Sequence, residues 1–166
     1  MTDVSIYLAT RMTGRTGKEV WDEYFAAAPI YERAGIKVLS PLFGENIPHT
    51  SERLPDRPDA EGVKVWFSKD KPLIEAAHVC VFPGISQGIM REYSFSRGVL
   101  WKPTVFIGNG GFIAREEDDK VCTSHQEAAL TIVARWGTRP KRFRWRLNML
   151  NKSLPKWIWR QIREFK

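Results

Sequence analysis

A single α/β domain, with a parallel sheet covered by helices on both faces, is predicted by three features of the sequence. Short apolar runs alternate with segments of helical period, the runs are too short to be helices themselves, and capping or turn residues sit at the joints. A chain of 166 residues with 43% apolar and 27% charged residues suits one soluble core of that kind.

Val4 to Ala9 reads as the first buried strand. Thr16-Gly17-Lys18-Glu19 has the spacing of a capping box ahead of Val20, Trp21, Tyr24, Phe25 and Ala28, so a helix starts near Thr16 and ends by Gly35, with Pro29 along its course. Ile36 to Ser40 is the second strand. Pro41 to Asp59 holds four of the ten prolines and reads as a long mobile loop of the kind that often serves as a lid. Gly62 to Ala76 is helical and carries Asp70. The third strand is Ala77 to Phe82, and a helix from about Ile89 to Leu100 follows it. Pro103 to Ile107 is the fourth strand, and Ser124-His125-Gln126-Glu127 offers a second capping box before Ala128, Leu130, Ile132 and Val133.

The charge of +7 is unevenly spread. Residues 137–166 carry ten Lys or Arg and only Glu164 as an acid, whereas residues 1–136 are close to neutral. The chain therefore divides into an α/β domain, 1–136, and a basic, tryptophan-rich C-terminal extension, 137–166. The extension's composition suits anionic lipid, nucleic acid or an acidic partner, but packing against the domain or a second subunit, with Lys and Arg stems reaching water, is the favoured reading. No recognised nucleic-acid reading motif accompanies it. No apolar stretch approaches the roughly 18 to 20 residues that span a bilayer, and the N-terminus lacks a basic segment followed by a long apolar core, so a cytoplasmic location is expected. Cys80, in a strand, and Cys122, at the start of a loop, lack CxxC spacing and read as reduced thiols.

Ligands of open parallel sheets sit beyond the carboxyl ends of the strands. Gly84-Ile85-Ser86-Gln87-Gly88-Ile89-Met90-Arg91-Glu92 occupies such a place after the third strand. Taken alone, Glu92 in the first turn of a helix is explained by the macrodipole, and Asp70 within Ser68-Lys69-Asp70-Lys71 by solvent exposure. Taken together, they are two carboxylates on elements flanking one strand. Chemistry at an anomeric carbon uses such a pair, one as nucleophile and the other managing a proton.

Thr10 to Lys18 also follows a strand and opens a helix, and its amides around Gly14, with Arg11, suit a phosphate; a solvated basic loop is the alternative. It is not a Walker A motif, because Met12 stands where the first glycine belongs and Glu19 follows Lys18. Gly108-Asn109-Gly110-Gly111 makes no dinucleotide fingerprint. His49, His78 and His125 are dispersed, without the neighbours of a zinc site or triad. No metal or cofactor is called for.

Ile6-Tyr7-Leu8-Ala9, Asp70 eight residues before His78, and Ser86-x-Gly88-x-x-x-Glu92 together resemble the nucleoside 2-deoxyribosyltransferase superfamily, over about residues 4–107. The nearest branch is that of the 2'-deoxynucleoside 5'-monophosphate N-glycosidases. The fold class that goes with this resemblance is a Rossmann-like or flavodoxin-like sheet sandwiched by helices. The resemblance implies that Glu92 attacks C1' of the sugar, that Asp70 positions or protonates the departing base, and that Tyr7 orients the nucleophile or lines the base pocket; a half-buried strand aromatic is the other reading of Tyr7. Ser86 stands where the transferases often carry an acid, which favours a phosphate over a sugar hydroxyl. Ala9, Arg11, Gly14, Ser86 and Gly88 complete the expected substrate-binding set. The chain departs from the pattern at Ser94 and Ser96, where relatives often have glycine and alanine, and in lacking an early glycine after the first strand. Arg91, beside Glu92, either holds the carboxylate ionised or faces solvent.

The expected activity is hydrolysis of the N-glycosidic bond of (deoxy)nucleoside 5'-monophosphates through a glycosyl-Glu92 intermediate, releasing base and sugar phosphate. Base exchange between nucleosides is the near alternative. A non-catalytic nucleotide-binding module, with a tail that reaches a membrane or partner, belongs to another class. A homodimer or higher homo-oligomer is expected by resemblance.

Overall fold

The computed structural model describes residues 3–44, 47–54, 60–108 and 119–137, with the side chains of residues 60–67 and Gln87 excepted. Five parallel strands, β1 (Ser5–Leu8), β2 (Lys37–Leu39), β3 (Val79–Pro83), β4 (Thr104–Ile107) and β5 (Lys120–Cys122), form one sheet in the order β2-β1-β3-β4-β5. That order is the flavodoxin-like form of the doubly wound α/β fold. Its switch point lies between β1 and β3, where the chain leaves β1 in one direction and returns on its other side.

Among the described residues four helices cover the sheet: α1 (Gly17–Arg33), α2 (Ala60–Ala76), α3 (Gln87–Tyr93) and α4 (His125–Trp136). Alternation along the strands sorts the core into two layers. Ile6, Leu8, Val79, Val81 and Val105 pack with α1 and α4 around Val20, Tyr31 and Ile132. Tyr7, Cys80, Phe82 and Phe106 face α2 and α3 around Ile74 and Ile89. The central strands are apolar on both faces because helices cover both. Each fully buried Val, Ile or Phe there contributes about 1.5–3 kcal/mol.

The expected elements form with small shifts in their ends. The capping box of α1 closes, with Thr16 Oγ1 accepting from Glu19 N–H at 3.1 Å and the Glu19 carboxylate accepting from Thr16 N–H at 2.8 Å. Pro29 is accommodated inside α1, and Gly35 ends the connection with φ 75°. The second capping box is not closed at Ser124. Ser124 Oγ accepts from Glu127 N–H, but the Glu127 carboxylate turns to Thr123, accepting from its N–H and hydroxyl at 2.7 Å each.

Three expectations are corrected. Cys122 does not begin a loop; it ends β5, a three-residue edge strand whose charge and brevity hide it in the sequence. The helix expected over residues 89–100 is two structures, α3 and a turn of π-helix, Ser94–Val99. The stretch read as a mobile loop contains a 3₁₀ turn, Pro41–Gly44, and a tethered segment. Within that segment Lys18 N–H donates to Thr50 O, Leu54 N–H to Arg15 O and Trp21 Nε1 to Ile47 O, and Thr16 and Arg53 form a bridge. Residues 45–46 and 55–59 of that stretch, 109–118, and the extension from 138 onward lie outside the described residues. No helix among the described residues is long and apolar enough to cross a membrane.

The tether requires glycine at position 17. A Cβ there would overlap the Pro48 carbonyl oxygen, so backbone rather than a flexible side chain would have to yield. Gly17→Ala is expected to destabilise the fold by about 1–3 kcal/mol, the usual scale of overpacking, even though alanine is the better helix former. Urea denaturation of the variant checks it; unchanged stability would show that the 47–54 segment separates from α1 without loss.

Candidate active site

Each of the three residues assigned to chemistry is carried to the α2/α3 face of the sheet by a different element. Tyr7 is on β1, paired in register with Leu39 and Cys80, and its side chain is fully buried. Asp70 lies on α2 and is 1% exposed. Glu92 is the penultimate residue of α3 and is 6% exposed. The bland readings of all three are thereby corrected. Tyr7 is not half-buried, Asp70 is not a solvated surface residue, and Glu92 is not in the first turn of its helix, where the macrodipole would favour it.

Burial of two carboxylates is costly unless the surroundings are built for them. Both act on one phenol. The Tyr7 hydroxyl is sealed from solvent, and its pKa is pushed well above the ordinary value, first by burial and then by the charges of Glu92, Asp70 and Cys80. The hydroxyl meets no partner at strict hydrogen-bonding geometry, yet it lies near enough to Glu92 for hydrogen bonding to that carboxylate to help hold its proton. Tyr7 is thus a neutral phenol acted on by two acids, one from the helix before β3 and one from the helix after it.

A row of polar side chains continues across the same face. Tyr7 neighbours Cys80 on β3, and Cys80 neighbours Thr104 on β4. Burial pushes the Cys80 thiol up to about 12, against the pull of the Lys102 charge and a hydrogen bond with Ser96, while Glu92 adds to the rise. The Thr104 hydroxyl donates to Asp119 Oδ1, Tyr93 Oη donates to Asp119 Oδ2 at 2.9 Å, and Arg97 Nε lies 3.4 Å from Asp119 Oδ1. Thr104, Arg97, Lys102 and Asp119 are all buried. None of them was anticipated. Asp119 sits in the acidic run Glu116 to Asp119, which reads as a solvated face, and no local pattern distinguishes it.

The π-turn begins two residues after Glu92. Turns of this kind are wider than an α-helix and are frequent at functional sites. Ser94 Oγ donates to Met90 O at 2.7 Å and Ser96 Oγ to Tyr93 O at 3.0 Å, so both serines bond back to the helix that precedes them. Ser96 is fully buried, so its small size is used in packing. Arg91 is exposed and faces solvent.

The expected substrate-binding residues gather at the carboxyl ends of β1 and β3, on either side of the switch point. Ala9 is buried, and its N–H extends the pairing by donating to Val81 O at 3.0 Å. Arg11 is exposed, with its carbonyl accepting from Arg15, and Gly14 has φ 77°. Gly84, with φ 80°, turns the chain out of β3 in a conformation that favours glycine. Ser86 caps α3, its Oγ accepting from Ile89 N–H at 3.3 Å, and Gly88 lies in the first turn. A hydroxyl accepting in this way keeps its own hydrogen to donate.

The three histidines remain apart. The His78 ring accepts from Ser5 N–H through Nδ1, His125 meets the Tyr31 hydroxyl and His49 lies beside Asp22. Among the described residues no group of three or more His, Cys, Asp or Glu side chains is arranged to hold a metal ion.

The buried acids of high pKa set an alkaline limit on stability. Tyr7, Tyr31 and Cys80 are all shifted upward by burial, so the folded chain holds protons that the unfolded chain releases from about pH 8.5 for Cys and about pH 10 for Tyr. Their contribution is complete below those values and is lost as pH rises toward the folded pKa values. Urea midpoints are expected to hold steady to about pH 8.5 and to fall steeply between about pH 9 and 12. A midpoint independent of pH over that range would show that these groups are not buried as described.

No protein-family model and no curated protein matches this sequence. Among solved structures the chain is similar to a conserved protein from Enterococcus faecalis V583, at 13% identity and TM-score 0.51 over 80% of this chain and 98% of that one. It is also similar to a 2-deoxyribosyltransferase from the psychrotolerant bacterium Bacillus psychrosaccharolyticus, at 19% identity and TM-score 0.42 over 63% of this chain and 72% of that one. The first of these likenesses bears on the fold, which is the Rossmann-like α/β arrangement expected from the sequence.

Proposed function

We propose that this protein is an N-glycosidase of (deoxy)nucleoside 5'-monophosphates, with Glu92 as nucleophile. The observation that carries the reading is the burial of Asp70 and Glu92 around the Tyr7 phenol, beside the switch point of the sheet. The order and spacing of Tyr7, Asp70, Ser86, Gly88 and Glu92, which resemble the deoxyribosyltransferase superfamily, support it from the sequence side.

In the first step a Glu92 carboxylate oxygen forms a bond to C1' as the bond from C1' to the base nitrogen breaks. The base leaves with the electron pair and takes up the proton of the Asp70 carboxyl, which becomes a carboxylate. In the second step water attacks C1', the ester bond to Glu92 breaks and the carboxylate is restored, with the water's proton passing to the active-site acids. Tyr7 donates toward the Glu92 oxygen that is not attacking and so fixes its orientation. Arg11, the Ser86 hydroxyl and the amides near Gly14 receive the 5'-phosphate.

Nucleosides and their 5'-monophosphates, incubated with the protein with and without acceptor bases, test the reading by chromatography of free base and new nucleoside. Base release from monophosphates is expected. Exchange that requires an acceptor would replace the hydrolase by a transferase, and tight binding without release would replace it by a nucleotide-binding module. Arg11→Ala is expected to raise KM about tenfold or more for the monophosphate, the scale of one charge-assisted contact, and to leave nucleoside kinetics unchanged. Equal effects on both substrates would remove Arg11 from the phosphate site.

A further inference from the structure

We infer that Lys102 is a positioning residue that sets the placement of Asp70 and Glu92 relative to each other, by binding through its side chain to the helix of one and through its main chain to the turn that follows the other.

Lys102 is 5% exposed, and its ammonium group is spent inside the protein. Nζ donates to Glu75 O at 2.8 Å and to Ala77 O, at the carboxyl end of α2. That end has no basic residue of its own in the last turn. Lys102 therefore supplies both the donors and the positive charge that a helix carboxyl terminus favours.

The main chain of Lys102 is held on the other side. Its N–H donates to Ser96 O at 2.9 Å, and its carbonyl accepts from Arg97 Nη1 at 3.5 Å. Ser96 and Arg97 belong to the π-turn that continues from α3 just beyond Glu92. Arg97 is fixed in turn by Asp119, which also accepts from Tyr93, the residue after Glu92. The preceding residue, Trp101, has φ 54°, a left-handed conformation that a bulky side chain adopts only where its surroundings impose it. The strand entry at Lys102 is thus gripped by α2, which carries Asp70, and by the π-turn that continues α3, the helix of Glu92. The charge of Lys102 also reaches the thiol of Cys80, the sheet neighbour of Tyr7.

The role of Lys102 rests on the catalytic reading only for its effect on turnover; its effect on geometry is separate. Lys102→Met keeps the stem and removes the donors and the charge. The folded variant is expected to show a displaced ¹³C carboxyl resonance for Asp70, whose helix loses its anchor, and for Glu92, because both carboxylates act on the Tyr7 phenol, with a kcat for base release lowered about 100-fold at nearly unchanged KM, the scale of a misplaced catalytic group. Wild-type resonances in a folded variant, or displacement of Asp70 alone, would overturn the inference, since Lys102 would then have no hold on Glu92. If Lys102→Met does not fold, Lys102→Gln, which keeps two N–H donors without the charge, is read in the same way. Absence of base release in the wild-type protein would sink the proposed function, while the resonances would still decide the role of Lys102.

Discussion

Replacing Glu92 by Gln is expected to lower base release from nucleoside monophosphates by a factor on the order of 10³ or more, equivalent to about 4 kcal/mol of barrier, without loss of the folded state. The substitution keeps shape and removes the atom that bonds to C1'; an amide oxygen is a poor nucleophile, and no second carboxylate stands on α3 to replace it. The fold is expected to persist because Glu92 is a cost to it. Its carboxylate is nearly sealed from water, shares one phenol with Asp70 and lies beyond the first turn of its helix, so neutralising it relieves repulsion. Chromatography of free base and near-ultraviolet circular dichroism on the same preparation measure the two effects. Undiminished turnover would remove Glu92 from the chemistry, and loss of the folded state would show that its carboxylate is structural.

The second large effect concerns stability. Asp119→Ala is expected to destabilise the fold by about 3–5 kcal/mol, the range found when one partner of a buried ion pair is removed. The Asp119 side chain is fully buried and the Arg97 side chain is 7% exposed, so the guanidinium has little water to turn to. The same substitution strips the Tyr93 and Thr104 hydroxyls of their acceptor. These losses fall on the seam that joins α3, the π-turn, β4 and the residue leading into β5. Urea denaturation measures the change. A loss below about 1 kcal/mol, the scale of an exposed pair, would mean that water replaces the carboxylate.

The alternation of apolar runs with helical segments made β1 to β4 and the helices legible, because both periodicities are local consequences of which face is buried. β5 escaped because Val121 and Cys122 are its only apolar residues, whereas β2, equally short, is preceded by Gly35 and the apolar Ile36. The π-turn escaped because residues 89–100 keep a helical composition. Asp70, Glu92 and Tyr7 could be singled out by the order of short motifs. Their burial could not be read in that way, and local patterns gave Asp70 and Glu92 ordinary surface explanations.

The sequence by itself determined which residue types occupy each element, where most helices start, and that two carboxylates flank the third strand. Only the tertiary structure decided that those carboxylates are buried and act on one phenol, and that Lys102, Arg97 and Asp119 are internal charges rather than solvated ones. The physical reason is range. Caps and amphipathic periods act within a few residues and leave their mark in the local pattern, whereas the environment of a charge is set by what packs against it. Here those neighbours come from β1, α2, the π-turn and the residues around β4 and β5, which only the strand order brings together.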